Sequence, residues 1–211
     1  MQIDVFQDIA CPFCWIGKRN MQLALAEWKG TPVTVRYRAF ILDPTIPPEG
    51  ADFLTHMQAK SRSGKPPEFF FDAPRRMGAE VGLQFNFDKI TRAPNSLLAH
   101  RLIRLSPADK QEALVDAIYA AYFRDGQDPS DPEVLYALAT QVGLDVAKLR
   151  QLIQDGEALA EVEGDIQWAQ AAGIQGVPFF VFDNRVGLSG AQPPAAFIDA
   201  LHQLSKTTTE A

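Results

Sequence analysis

Two cysteines stand among the 211 residues of the chain, Cys11 and Cys14, with only Pro12 and Phe13 between them, directly after the apolar run Ile3 to Phe6. Two thiols at that spacing, one at the mouth of an expected helix and one a turn inside it, can close a disulfide and reopen it by exchange. With a helix starting at Pro12, Cys11 lies at its N-terminal boundary, where unpaired backbone N–H groups and the positive end of the helix dipole favour a thiolate. Pro12 suits the first helical position because its φ is already set and its missing N–H is one the helix does not use. Cys11 is therefore the expected nucleophile, its pKa falling from about 8.5 into the range of roughly 3.5 to 7.5 seen for such motifs, and Cys14 the expected resolving thiol. Two other readings stand beside this one: an ordinary pair of core cysteines, or half of a zinc site. Against zinc, the chain has no second cysteine pair, and His56, His100 and His202 fall outside any ligand spacing. No metal is expected, and a redox-active Cys11–Cys14 disulfide takes the place of a cofactor.

The composition narrows the class. A hydrophobic content of 46% over this length can bury a full core without staples. A net charge of −6 and a sequence pI near 5.1 argue against a phosphate-tracking surface, so nucleic acid is excluded as a partner. Lys18-Arg19 and Arg75-Arg76 read as solvated helix faces. The chain runs from Met1 straight into residues 2–6 without a basic and apolar leader, and no apolar stretch is long enough to cross a bilayer. A cytoplasmic location and no membrane partner are therefore expected. In such a reducing compartment a lone cysteine pair is more often catalytic than structural. The expected partners are protein or small-molecule thiols and disulfides; the oligomeric state is not legible.

The elements that must position the pair follow from periodicity. Residues 3–7 read as a strand feeding the motif helix, in which Ile16, Leu23 and Trp28 recur among Lys18, Arg19, Asn20 and Gln22 until Gly30. Residues 33–40 alternate, with Val33, Val35, Tyr37 and Ala39 on one side, which makes a second strand and predicts a parallel βαβ unit. After Leu42 comes a proline-rich connector, Asp43-Pro44 and Pro47-Pro48-Glu49-Gly50, and then mostly helices: 52–63, 73–81, 95–105, 110–123, 133–142, 146–153 and 157–172. Asp131-Pro132 and Asp145 are N-terminal caps. Lys65-Pro66-Pro67 separates the first two of these helices. Phe69-Phe70-Phe71 belongs either to the core or to the wall of a groove, and residues 83–87 to a strand or an extended loop. Strands return at 179–182 and 186–189 around a turn at 183–185, an antiparallel hairpin. An amphipathic helix over 195–204 follows, and residues 206–211 are expected to form a disordered tail.

Strand, CxxC helix and strand at one end, with a Val-Pro hairpin and helix at the other, resemble an α/β thioredoxin-like fold with a large inserted helical domain, the arrangement of the DsbA family. The boundaries are 1–44 and 156–205 for the thioredoxin-like domain and 45–155 for the insertion. Three stretches together resemble the FrnE-like branch of that family: Cys11-Pro12-Phe13-Cys14-Trp15-Ile16-Gly17-Lys18-Arg19; Phe87 to Ser96 leading into Ala99-His100-Arg101-Leu102; and Gly176-Val177-Pro178-Phe179-Phe180-Val181-Phe182 followed by Ser189-Gly190-Ala191-Gln192-Pro193. The chain departs from the periplasmic DsbA pattern in carrying Phe13 where those enzymes have a histidine.

The resemblance implies a thiol-disulfide oxidoreductase or isomerase, with Pro178 in a cis peptide beside the sulfurs and the Val177 backbone free to pair with an extended substrate. It also implies that Asn95 and His100 contact substrate in the inter-domain groove; as residues alone they read equally as a helix cap and a structural histidine. Phe13, Trp15 and Phe40 are candidates for an apolar rim, with core packing as the alternative. Two other functions remain open. One is a glutathione-dependent isomerase or transferase of the 2-hydroxychromene-2-carboxylate or kappa kind, in which the residue matching Cys11 is a serine, with glutathione as co-substrate. The other is a non-catalytic, chaperone-like binding protein.

Phe13 supplies no charge to the Cys11 sulfur, so a potential between those of thioredoxin, about −270 mV, and DsbA, about −120 mV, is expected. Losing one charge-assisted hydrogen bond of about 1.5 to 3 kcal/mol corresponds to roughly 30 to 65 mV. Phe13→His therefore raises the potential in a glutathione redox titration; an unchanged value would place control of the thiolate elsewhere.

Overall fold

The computed structural model of the chain describes residues 1–61 and 66–209. A four-stranded sheet in the order β2-β1-β5-β6 carries the site. Its central strand β1, Gln2–Gln7, pairs in parallel with β2, Thr34–Ala39, and antiparallel with β5, Phe179–Phe182; β6, Val186–Ser189, closes the hairpin on the outer edge. Helix α1, Pro12–Glu27, joins β1 to β2, which gives the parallel unit expected.

The alternation of β1 divides the core. Ile3 and Val5 face the main core with Ile16 of α1, Phe180 and Phe182 of β5, and Phe197 of the last helix, α9, Pro194–Thr209. Phe180 and Phe197 meet edge to face at 4.7 Å. Phe6 and Val181 point to the other face, against Ala169 of helix α8, Leu159–Ala171, and Ile174. Asp4 shares that face, and Arg38 bridges its carboxylate to that of Asp165 on α8 at 2.7 Å each. The second Asp165 oxygen accepts the Ala39 N–H at 3.2 Å, so α8 is bound to the edge strand by charge and backbone together.

Between β2 and α8 lies the helical insertion. Its order is β3, Ala51–Asp52; α2, Phe53–Lys60; a 3-10 turn, Pro67–Phe70; α3, Asp72–Glu80; a second 3-10 turn, Phe87–Lys89; β4, Arg92–Ala93; then α4, Leu97–Leu105; α5, Ala108–Tyr119; α6, Pro132–Gln141; and α7, Val146–Gln154. The caps read from the sequence are formed: Asp131 accepts from Glu133 N at 2.9 Å and Asp145 from Lys148 N at 3.0 Å.

Several expectations are corrected. The helix expected over 110–123 ends at Tyr119 and continues as a π-helical turn, Ala120–Arg124, whose widened register buries the adjacent Tyr122 and Phe123 together. Residues 83–86 are a loop that turns into the 3-10 segment at Phe87. Of the helix expected over 52–63, Phe53–Lys60 is formed, and Arg62 and Ser63 lie outside the described residues, as does Lys65. The tail expected to be disordered from Lys206 is helical to Thr209; Glu210 and Ala211 lie outside the described residues. Lys18 is not on a solvated face. It is buried, with Nζ 2.7 Å from Asp116 on α5, an ion pair that offsets the desolvation lowering its pKa and ties α1 to the insertion.

Gly17, on the buried side of α1, packs closely against the hairpin and the residue that leads into it. A Cβ there would meet the Pro178 ring at 2.9 Å and Phe180 at 3.2 Å. Alanine ordinarily gains about 1 kcal/mol over glycine in a helix, whereas overpacking costs about 1 to 3 kcal/mol. Gly17→Ala is therefore expected to lower the urea midpoint; a stabilised variant would show that the hairpin yields freely.

Candidate redox site

The site begins with a turn held by one carboxylate. After β1 the chain enters Asp8, whose Oδ1 accepts the Ala10 N–H at 3.0 Å and whose Oδ2 accepts the Leu42 N–H at 2.7 Å, while its carbonyl accepts the Cys11 N–H at 3.0 Å. This turn delivers Cys11 to the N-cap of α1 in an extended conformation, with Pro12 in the first turn and no side chain capping the helix. The free N-terminal amides are thus left beside the Cys11 sulfur. Cys14 follows one turn in, its N–H bonded to the Cys11 carbonyl at 3.1 Å.

Both thiols are unbonded and shielded, Cys11 at 5% exposure and Cys14 at 1%. Their surroundings differ. The Cys11 Sγ lies 3.6 Å from the Val177 carbonyl, the donor side of a contact that places it against the Val177–Pro178 peptide, which is cis. Burial pushes the Cys14 thiol well above its ordinary value, and the adjoining Cys11 sulfur raises it further. The Tyr119 hydroxyl sits beside Cys14 and reaches Gln7 Oε1 and the Asp8 carbonyl, and burial drives its own pKa up first, with the two sulfurs adding to it. Burial would likewise raise Asp8, but the facing His100 imidazole and the two amides outweigh it and hold the carboxyl below its usual range. His100 Nε2 is 3.9 Å from Asp8 Oδ1, an approach longer than a hydrogen bond, and has no hydrogen-bond partner among the described residues.

The structure brings together Cys11, Cys14, Val177, Pro178 and Phe13; it places the other expected site residues elsewhere. Trp15 is not at a rim. It is buried, edge to face with Phe85 at 5.2 Å and stacked towards Tyr119 and Phe123, because position 15 faces the insertion across α1. His100 does not face a groove but the buried Asp8 carboxylate behind the cysteines. Asn95 is a scaffold residue: its Nδ2 donates to the Ile46 carbonyl at 2.8 Å and its Oδ1 accepts the N–H of Leu97, the first residue of α4, at 3.0 Å. Phe40 is half-buried against the Phe6 and Val181 cluster, together with Val177 and Phe179. Asp8, Gln7 and Tyr119 were missed. Asp8 alone had a signal, an acidic residue three positions before Cys11 at the end of an apolar strand.

Ala10, Cys11, Pro12 and Phe13 form one side of a cavity of about 490 Å³ whose far side is Phe53, Phe70, Phe71, Phe87 and Phe123 of the insertion. The aromatic run at 69–71 divides: Phe71 is core, while Phe69 and Phe70 are 53% and 38% exposed.

The model of the DSBA-like thioredoxin domain matches residues 2–202. The chain belongs to the DSBA-like thioredoxin domain family. Membership brings thiol-disulfide oxidoreductase chemistry in general. Among solved structures, a probable DsbA oxidoreductase, SCO1869 from Streptomyces coelicolor, is 36% identical, with a TM-score of 0.84 over 96% of this chain and 89% of that one. The cytosolic disulfide reductase DsbM from Pseudomonas aeruginosa, solved with GSH, shares the fold at 17% identity and a TM-score of 0.66, over 98% of this chain and all of that one. A Bacillus subtilis (strain 168) protein, the uncharacterized YwbO, is 25% identical over 98% of both chains.

Asp8→Asn tests the turn. An amide nitrogen would face the Leu42 N–H, leaving a buried donor unsatisfied at a cost of about 1 to 3 kcal/mol at neutral pH. The sign with pH follows from the lowered carboxyl: its contribution is present above the unfolded value of 3.8 and is lost as pH falls through the lower folded value. The urea midpoints of wild type and Asp8→Asn should therefore converge below about pH 4; a constant gap would show that the Asp8 charge adds nothing.

Proposed function

We propose that this family member is a cytoplasmic thiol-disulfide oxidoreductase of the FrnE-like kind, in which Cys11 is the nucleophile and Cys14 the resolving thiol. The observation that carries the reading is the asymmetry of the pair: Cys11 borders both the cis Val177–Pro178 peptide and an open cavity, whereas Cys14 lies behind it with its thiol held protonated. Acting as a reductant, the Cys11 thiolate attacks a disulfide R–S–S–R′, forming Cys11–S–S–R and releasing R′S⁻. Cys14, on losing its proton, then attacks Cys11 Sγ, forming the Cys11–Cys14 disulfide and releasing RS⁻. Run backwards, the same two exchanges oxidise a substrate dithiol.

Glutathione is the small thiol that this reading assigns to recharging the pair, and a fold similar to this one holds it in DsbM. The isomerase reading, in which a serine holds glutathione without reacting, has a thiol at position 11 against it. No helix among the described residues is long and apolar enough to cross a membrane, in keeping with a reaction on dissolved thiols.

The test is disulfide exchange in glutathione buffers with wild type, Cys11→Ser and Cys14→Ser. Cys11→Ser should lose turnover, and Cys14→Ser should accumulate a glutathione adduct at Cys11, read by mass spectrometry. No exchange above the uncatalysed rate in wild type would leave only the chaperone-like function, and an adduct on Cys14 in the Cys11→Ser protein, formed as fast as that on Cys11, would reverse the roles.

A further inference from the structure

Cys11 borders two different surfaces. On one side is the Val177–Pro178 peptide; on the other is the cavity of about 490 Å³, of which Val177 and Pro178 form no part. That volume lies within the range of about 300 to 1,000 Å³ found for small-molecule sites. The wall is aromatic. Phe53 stacks on Phe71 at 5.8 Å and 14°, and Phe71 on Phe87 at 4.5 Å and 10°, and all three are buried. At the mouth, Phe69 and Phe70 meet edge to face at 5.8 Å, and both are partly exposed.

Among the described residues, Lys60 is the one ammonium or carboxylate side chain in the lining, and its Nζ lies 3.2 Å from Asp43, on the wall shared with a smaller cavity of about 170 Å³ that Asp43, His56 and Ser96 help to line. An extended protein segment would pair along the backbone at Val177 and would leave this chamber unfilled. A small molecule with an apolar ring body fills it and, from there, presents its sulfur to Cys11.

We propose that the chamber between the motif helix and the insertion is the binding site for a small, apolar, ring-bearing thiol or disulfide, and that such a molecule, rather than a protein segment, is the substrate exchanged at Cys11. The proposal rests on the oxidoreductase reading for its chemistry and on the chamber for its choice of substrate. In the step it adds, the Cys11 thiolate attacks the substrate disulfide Ar–CH₂–S–S–R; the Cys11–S bond forms to the ring-bearing sulfur, the S–S bond breaks, and RS⁻ leaves with the electron pair and takes a proton from water.

The probes are mixed disulfides of N-acetylcysteamine with 2-naphthylmethanethiol and with ethanethiol, both alkyl sulfurs, and a cysteine-containing peptide disulfide of the same partner, each rate divided by its uncatalysed rate with dithiothreitol. Wild type should exchange the naphthylmethyl disulfide at least about tenfold more efficiently than the ethyl one, the scale of discrimination an apolar pocket supplies. Phe70→Ala, at the half-exposed mouth where truncation empties no core, should reduce that ratio several-fold. Equal efficiencies, or a preference for the peptide, would overturn the small-molecule assignment while leaving the oxidoreductase reading intact. A second measurement does not depend on exchange: 2-naphthylmethanol should bind the Cys11→Ser protein, and Phe70→Ala in that background should weaken it. Binding without any exchange in wild type would sink the oxidoreductase reading and keep the chamber; no binding would sink the chamber.

Discussion

The Asp8 carboxylate is the constraint on which the site depends. It closes the turn between β1 and α1 through Ala10 and, with its other oxygen, holds the backbone at Leu42, just past the end of β2. One buried group thus fixes the start of the motif helix and the exit of the neighbouring strand together. A carboxylate taken out of water is tolerated only when its oxygens are satisfied, and two amides and an imidazole from three separate segments converge on it. The N-cap position of Cys11, and the open helix terminus beside its sulfur, follow from where that turn leaves the chain.

The insertion supplies what the thioredoxin-like sheet lacks. Tyr119 from α5 closes over Cys14, His100 from α4 faces Asp8, and Lys18 of the motif helix is neutralised by Asp116 of α5. Trp15 is sunk among Phe85, Tyr119 and Phe123, so the motif helix has one face in the sheet core and another in the helical part. Breaking the Lys18–Asp116 pair would leave a charge stranded in the core, which is why such pairs fix orientation even where their net contribution to stability is small.

What could be read from the sequence was local. The closely spaced cysteines, the Asp131-Pro132 and Asp145 caps, the alternation of β2 and the hairpin each place their signal within a few residues, and the caps, strand and hairpin formed. Burial of charge was not legible, because the partner that allows it is remote: Asp116 lies 98 positions from Lys18. Side-chain direction failed for a similar reason. Helical periodicity says that Trp15 and Ile16 point different ways, but not that the insertion waits on the Trp15 side. The split of Phe69, Phe70 and Phe71 between mouth and core depends on a 3-10 turn that swings successive residues by about 120°, a geometry that composition does not announce.

The same division bears on how such a protein is specialised. The groups nearest the thiols, namely the Asp8 turn with the helix terminus it leads into and the Val177–Pro178 peptide, come from two short segments of the sheet domain. Most of the surface a substrate would meet beyond Cys11 comes from the insertion: Phe53, Phe70, Phe71, Phe87 and Phe123 belong to segments that hold neither sulfur. Phe13 is the exception, since it stands inside the motif and also lines the chamber. A ring there takes the position from which a charged or hydrogen-bonding residue would steady the Cys11 thiolate, and gives it to contact with an apolar ligand instead. Under the proposed function and substrate, redox poise and substrate choice are therefore coupled at that one side chain, while elsewhere each rests on its own part of the fold.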